Sequence, residues 1–425
     1  MFRVVLLLFP IILMGSPSYA QTDSSAFTKV LEDFNIRASV GFQLWGTYTH
    51  GMRVLDEDSG ELLPVDNRFT PQLRRSRLSI SGQPYQTLSF KLTAALDLVG
   101  HDLLAATEGG TNNGSSPGFR LWNAIVRWQI RPEDDRLNLL AGYMAAPIGR
   151  ESTTAALRSN SFEKAWSQNY LRRHLVGTGP GRATGVMLAG QFTGKQHPLH
   201  LTYEAAVLNP VFQSLSGNST GAAYSPLLVG RMAVHFGDPE SAGYASGHRV
   251  NYFGKRHGLT LGVAAARQGK SDLFRENTAY GIEWLYNTHG FHLDGEYFQL
   301  HRTGLTGTST HSATGYVRAG KNLPVFRGYV LEPVVSYWYF RGPEEAEDVA
   351  AANALRSFAG GDGGLDIGAN LYFNPNTKLS LFYAHRHGSM GAVGPQDINN
   401  NFYFQSGVGT IARGSYVGAG WVIIL

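Results

Sequence analysis

Arginine is the residue type in this chain best suited to chemistry. Of 36 basic residues, eight are Lys and the remaining 28 are Arg. A guanidinium presents a planar fork of donors that matches phosphate and carboxylate oxygens, and it keeps its charge at any working pH. Seven basic residues, Arg37, Arg75, Arg77, Lys91, Arg127, Arg131 and Arg231, occupy alternate positions within otherwise apolar segments. Asp97, Glu204, Glu283, Asp294, Glu296, Glu332 and Asp366 occupy the same kind of position. Such a mixed polar face can handle small charged or polar solutes. Other chemical signatures are weaker. Gly190-Gln191-Phe192-Thr193-Gly194-Lys195 has the flavour of a phosphate loop, but it is one residue short and Gln196 stands where Ser or Thr is needed. The glycines from Gly177 to Gly185 lack the strand-to-helix setting of a dinucleotide site. His385 and His387 share one face of a strand, with no third metal ligand in view. No cofactor, metal or nucleic acid is expected. An enzyme is not expected either, although a Ser/His or Asp/His pair brought together in space stays open.

The elements that would position these residues are strands. Leu88, Phe90, Leu92, Ala94, Leu96 and Leu98 alternate with Ser89, Lys91, Thr93, Ala95 and Asp97. Trp122, Ala124, Val126, Trp128 and Ile130 likewise oppose Asn123, Arg127, Gln129 and Arg131. Ile36 to Leu44, Phe291 to Tyr297 and Leu365 to Phe373 repeat the pattern. Period two with one apolar and one polar face is the signature of a strand with two unlike surroundings. Glycine is abundant at 51 residues, aromatics reach 12%, charged residues only 16%, and cysteine is absent. After the N-terminal segment no apolar run is long enough for a spanning helix, which needs about 20 residues. Only helices and closed barrels satisfy every backbone group in lipid. The chain therefore reads as all-β: a transmembrane antiparallel β-barrel of about 16 strands.

Residues 1–20 carry Arg3, an apolar run from Val4 to Met14 and the small residues Ser18 and Ala20. That is the pattern of a secretory signal peptide, which makes 21–425 a single barrel domain. Short turns at Gln83–Gln86, Arg131–Asp135, Thr193–Pro198, Asn287–Gly290 and Asn374–Asn376 alternate with long polar links. The long links are His50–Thr70, His101–Gly118, Pro147–Arg182, Pro210–Ser225 and Arg341–Gly360. Short periplasmic turns and long external loops are expected of such barrels. The stretch Gly237–His257 breaks the rule, being long where a short turn is due.

Three segments carry a family resemblance. Arg74-Arg75-Ser76-Arg77-Leu78, running to Gly82, resembles the basic second strand of the phosphate-selective porin O and P family. Gly142-Tyr143-Met144-Ala145-Ala146-Pro147-Ile148-Gly149-Arg150-Glu151 resembles its strand-to-loop signature. Arg182-Ala183-Thr184-Gly185-Val186, continuing to Asn209, resembles the segment that follows. The resemblance implies an outer-membrane porin, a homotrimer embedded in outer-membrane lipid, whose third external loop folds inward.

In this sequence that loop is Pro147–Arg182. The resemblance places Arg150, Lys164, Arg172, Arg173 and Arg182 at the constriction, where a ring of charge sets ion selectivity. The alternative is that these residues sit on solvated loop surface or pair with Glu151 and Glu163. A short helix is expected from Ser161 to Leu175, capped by Ser161. Small anionic solutes of phosphate type are the expected cargo, in keeping with a net charge of +4 and a pI near 9.1. The family's lysine cluster is not visible, so a general or sugar porin stays the alternative, with Trp166 and Tyr170 as candidate sugar-stacking rings.

Overall fold

The computed structural model describes residues 29, 31–56, 58–100, 102, 118–194, 199–210, 222–389, 402–405 and 409–425. The segment 1–20, most of the His101–Gly118 link and much of Pro210–Ser225 lie outside the described residues. Sixteen long strands follow one another: β1 (Arg37–His50), β2 (Arg68–Tyr85), β3 (Leu88–Val99), β4 (Arg120–Arg131), β5 (Asp134–Ala145), β6 (Arg182–Phe192), β7 (Leu199–Asn209) and β8 (Leu227–Gly237), then β9 (Gly258–Gln268), β10 (Phe274–Thr288), β11 (Phe291–Gly304), β12 (Ser309–Lys321), β13 (Val330–Arg341), β14 (Gly361–Asn374), β15 (Thr377–Ser389) and β16 (Ser415–Ile424). Each pairs antiparallel with its sequence neighbours. β1 pairs with β2 through Phe42↔Ser76 and with β16 through Phe42↔Ile423, so the sheet closes on itself and leaves no edge.

The two faces are inverted relative to a soluble protein. Along β8 the exposed residues are Leu228 (50%), Met232 (48%) and Phe236 (48%), whereas Arg231 and His235 are each 4% exposed. Apolar side chains outside and charged ones inside is the arrangement lipid demands of a barrel with a polar interior. Short turns lie on one rim. At His289 (φ 45) and Gly290 (φ 77) both central residues are left-handed, which matches the twist of the β10–β11 hairpin. The long connections lie on the other rim. Two of them contribute strands Arg53–Leu55, Leu62–Pro64, Phe402–Gln405 and Gly409–Ala412 to a separate small sheet.

Among several register shifts in the sheet, two bulges lie on the wall that proves basic. Opposite Gln43 and Leu44 the register on β2 jumps from Arg75 to Leu73, and opposite Thr93 and Ala94 on β3 it jumps from Asn123 to Leu121. Arg74 and Trp122 are the extra residues, and an extra residue re-aims its side chain. Trp122, expected on the apolar outer face, therefore points inward. Three short helices lie in the connections: α1 (Arg150–Thr153), α2 (Ser167–Val176) and α3 (Ala346–Ala354). α2 starts six residues later than expected, after Trp166, without a side-chain cap. Ser161 cannot cap it, because its hydroxyl accepts from Arg318 Nη1 at 2.8 Å.

Candidate functional site

One side of the inner wall is built from β2, β3, β4 and β6 and is strongly basic. Arg74 Nη2 lies 2.6 Å from Glu163 Oε2, and Arg75 binds the other oxygen of the same carboxylate while donating to Gln43 Oε1 at 2.7 Å. Arg77 and Arg120 share Asp97 in the same way, Arg120 at 2.9 Å. Between them stands Trp122. The guanidinium carbons of Arg182, Arg77 and Arg120 sit 3.9, 4.3 and 5.2 Å from its ring centroid. Stacking on an indole face lets cations crowd together that would otherwise repel. Arg74, Arg120 and Trp122 were not anticipated as site residues. The adjacent pair Arg74-Arg75 carried a signal, since strict alternation would put one guanidinium into lipid at a cost of about 2–4 kcal/mol near the midplane.

The opposite side, from β10 to β15, is acidic on its inner face, and much of the 146–181 connection is bonded there as well. Arg318, fully buried, donates to Asp294 Oδ2 at 2.6 Å and to Glu151 Oε2 at 3.1 Å. Asn370 Nδ2 donates to Asn160 O at 2.5 Å and Lys378 Nζ to Ser159 O at 2.6 Å. Arg302 and Asn277 both donate to His174 O, at 2.6 and 2.7 Å. Tyr170 stacks on Phe340 at 4.0 Å and donates to Asp362. Trp166 and Tyr170 are thus buried against the wall, 4% and 0% exposed.

The 238–257 connection, from the short-turn rim, is bonded to inner-face residues as well. Tyr244 donates to Glu204 Oε1 at 2.9 Å, Gln191 to Ser241 O at 2.7 Å, and Asn251 to Glu332 Oε1 at 2.8 Å. It meets the 146–181 connection directly, through the buried ion pair Arg150–Glu240 and a bridge between Thr154 and His248. Arg150 holds the Glu240 carboxyl well below its usual range, against burial that would raise it.

A cavity of about 560 Å³ stays open along the basic side. Ten basic side chains line it, against two carboxylates, Asp97 and Glu204. Of the expected constriction residues, Lys164, Arg172, Arg173 and Arg182 line this cavity; Arg150 does not, being fully buried against Glu240. Of the expected wall residues, Arg75, Arg77 and Lys91 line it. Arg127 binds Asp135 and, at 3.0 Å, Asn138, while Arg231 is held between Glu204 and Glu283 at 3.1 and 2.5 Å. Arg37 and Arg131 are exposed at strand ends beside the short-turn rim. Glu151 and Glu163, the alternative partners for the loop arginines, bind Arg318, Arg74 and Arg75 of the wall. Lys164 is buried, with Nζ donating to Thr154 O at 2.7 Å, and burial together with Arg172 lowers its pKa well below that of an ordinary lysine.

A closed 16-stranded barrel with an apolar exterior and a charged, open interior defines the class: an outer-membrane β-barrel channel. The family model for phosphate-selective porin O and P matches residues 55–402, and the chain belongs to that family. No curated protein sequence matches it significantly. The fold is that of the anion-selective porin from Comamonas acidovorans, at 13% identity and TM-score 0.52, with 92% of this chain and 100% of that one covered. The Salmonella typhi OmpF complex with daunomycin is alike at 11% identity and TM-score 0.52, covering 92% and 97%. The protein is a porin, a passive channel of the bacterial outer membrane.

Proposed function

We propose that this porin prefers small anions, with phosphate-like and carboxylate solutes as the class it passes best, and that its constriction is the 146–181 connection folded into the lumen. The observation that carries the reading is the charge of the open cavity, ten basic side chains against two carboxylates. The 146–181 connection is bonded largely to the β10–β15 side of the lumen and the 238–257 connection to Gln191, Glu204 and Glu332, and the cavity beside them is lined by Arg77, Trp122, Arg172 and Arg182. Fixed charge at close quarters attracts counter-ions and repels co-ions, most strongly where the walls limit water. Arg150, though buried, contributes by tying the two connections together. Export by a signal peptide ending at Ala20 and assembly as a homotrimer in outer-membrane lipid belong to the same reading.

The test is the zero-current potential of single channels in a planar bilayer under a tenfold salt gradient. Anion preference is expected in chloride and in phosphate. Cation preference or an unselective channel overturns the anion reading while leaving the porin. N-terminal sequencing of the exported protein should begin at Gln21, and native electrophoresis of the unheated protein should give the mass of three chains.

A further inference from the structure

A second, smaller cavity of about 220 Å³ lies where the two inner connections meet the short-turn rim. Three stretches form it: 157–159 of one connection, 249–255 of the other, and the β14–β15 turn with the strand ends beside it. The 146–181 connection leaves β5 at the rim of the long connections, yet it reaches across the lumen to the opposite rim. There Arg158 Nη1 donates to Pro375 O at 2.9 Å and to Asn376 Oδ1 at 2.7 Å. Leu157 beside it seats on β1, where a Cβ on Gly41 would come 2.4 Å from Leu157 Cδ1. Leu157 and Arg158 also line the larger cavity, so the two spaces adjoin at this pair.

The smaller cavity is basic once its neighbours are counted. Arg158, Arg249, Lys255 and Lys378 line it, and no carboxylate does. Glu332 stands behind the lining, fully buried, with Asn251 and Tyr372 donating to it at 2.8 and 2.9 Å. The two carboxylates of the 238–257 connection are engaged elsewhere: Glu240 binds Arg150, and Asp238 accepts from the His257 amide at 2.8 Å. Even with Glu332 included, four cations face one anion. Lys378 is held by Ser159 O at 2.6 Å, whereas Arg249 and Lys255 are exposed, and among the described residues neither they nor Arg158 has a carboxylate partner. Burial and Arg249 together lower the Arg158 pKa, as expected of two like charges facing one space. The connection that carries Arg249 and Lys255 is fixed to the wall. Phe253 meets Tyr372 edge-on at 5.0 Å, and Asn251 exchanges hydrogen bonds with Asn322 at 2.8 Å.

We propose that this cavity is a second anion site, on the short-turn side of the constriction, and that Leu157 and Arg158 form the neck between it and the larger cavity. The proposal rests on the anion preference of the channel and adds a separate place where an anion pauses. Its chemistry suits a small oxyanion. The turn takes Nη1 of Arg158 and so orients the planar fork, leaving its other nitrogens to a ligand, and a fork of this kind matches oxyanion oxygens. At about 30 Å³ per water, the space holds one such anion and several waters. The site is assembled from both rims, so an anion there touches both inner connections at once.

The test is chloride current through single channels of the full-length protein in 0.1 M potassium chloride, with inorganic phosphate added to one side and then to the other. From one mouth phosphate should reduce the current with little voltage dependence, because the site lies close to that mouth. Arg158→Gln, Arg249→Gln and Lys255→Gln together should raise the half-blocking concentration from that mouth about tenfold, about twofold for each exposed ion pair removed. From the other mouth the same variant should change it less than twofold. Arg249→Gln alone, which leaves the bonds of Arg158 and Lys378 in place, should still raise it about twofold and decides the matter if the triple variant does not fold. No shift in either variant, or equal shifts from both mouths, overturns the proposal. If anion preference persists alongside such a result, the second site alone is lost; cation preference would remove the reading on which it rests.

Discussion

Removing three guanidiniums from the cavity should collapse anion preference without closing the channel. Arg172, Arg173 and Arg182 all line the open side, with Arg182 3.9 Å from the Trp122 ring centroid. In water, a charge passing about 6 Å from a guanidinium interacts with it by roughly 0.7 kcal/mol. Screening at 0.1 M salt, with a Debye length of about 10 Å, cuts this to roughly 0.4 kcal/mol. Anions gain that energy and cations lose it, so each arginine separates the two by roughly 0.8 kcal/mol, a factor of about four in relative permeability. Three together amount to tens-fold, and the low-dielectric walls can only enlarge the effect. The assay compares zero-current potentials of wild type and the triple alanine variant in potassium chloride at 0.1 M and at 1 M. The permeability ratio should drop at least tenfold at low salt, and the difference should shrink at 1 M, where the Debye length is about 3 Å. Conductance should rise or hold, because the side chains removed are long. A ratio that changes by less than twofold would refute the assignment of these residues to the pathway.

Lys164 should give selectivity a pH dependence. Burial and Arg172 lower its pKa, so it sheds its proton at a lower pH than ordinary lysine, and anion preference should fall with rising pH before an ordinary lysine would titrate. Lys164→Met should abolish that fall, measured by zero-current potential across the pH range. Arg150→Met should lower the temperature of barrel-to-unfolded conversion in gels, since Glu240 is left buried with only His248 beside it, a loss of up to about 3–5 kcal/mol. The double change Arg150→Met with Glu240→Met should recover much of that loss. Replacing 241–249 by a short Gly-Ser link should raise single-channel conductance, because this connection is bonded to inner-face Gln191, Glu204 and Arg127; an unchanged conductance would exclude it from the pathway.

The wall of the barrel was legible because its physics is local. Lipid outside and water inside impose period two on every strand, so segments such as Leu88–Leu98 declare themselves. The five segments that alternation picked out lie in β1, β3, β4, β11 and β14. Legibility failed where a single residue breaks the period. The bulge at Trp122 has no local mark in the chain and that at Arg74 only the adjacent Arg74-Arg75 pair, yet the two bulges decide that Arg74 and Trp122 face inward. It failed again in the connections, whose conformation answers to partners far along the chain. The start of α2 depends on Ser161 meeting Arg318, and Glu163 on meeting Arg74 and Arg75. The unusual length of 238–257 was visible, but its bonds to Arg150, Glu204 and Glu332 were not.

The seats of the 146–181 connection have a consequence for how the molecule matures. Its bonds to Asn370 and Lys378 join residues 210 and 219 positions apart. Contacts so distant in the chain form late, because long loops must close before they reward the chain. Strand pairs such as β5–β6, by contrast, need only their immediate neighbours. All of the wall except its closing β1–β16 seam, which pairs Phe42 with Ile423, can therefore zip together while the residues that crowd the lumen are still solvated and unattached. Insertion into the membrane and narrowing of the bore are then separate events. A newly inserted barrel should pass through a wide, leaky stage, and the last residues to arrive set how tightly it sieves.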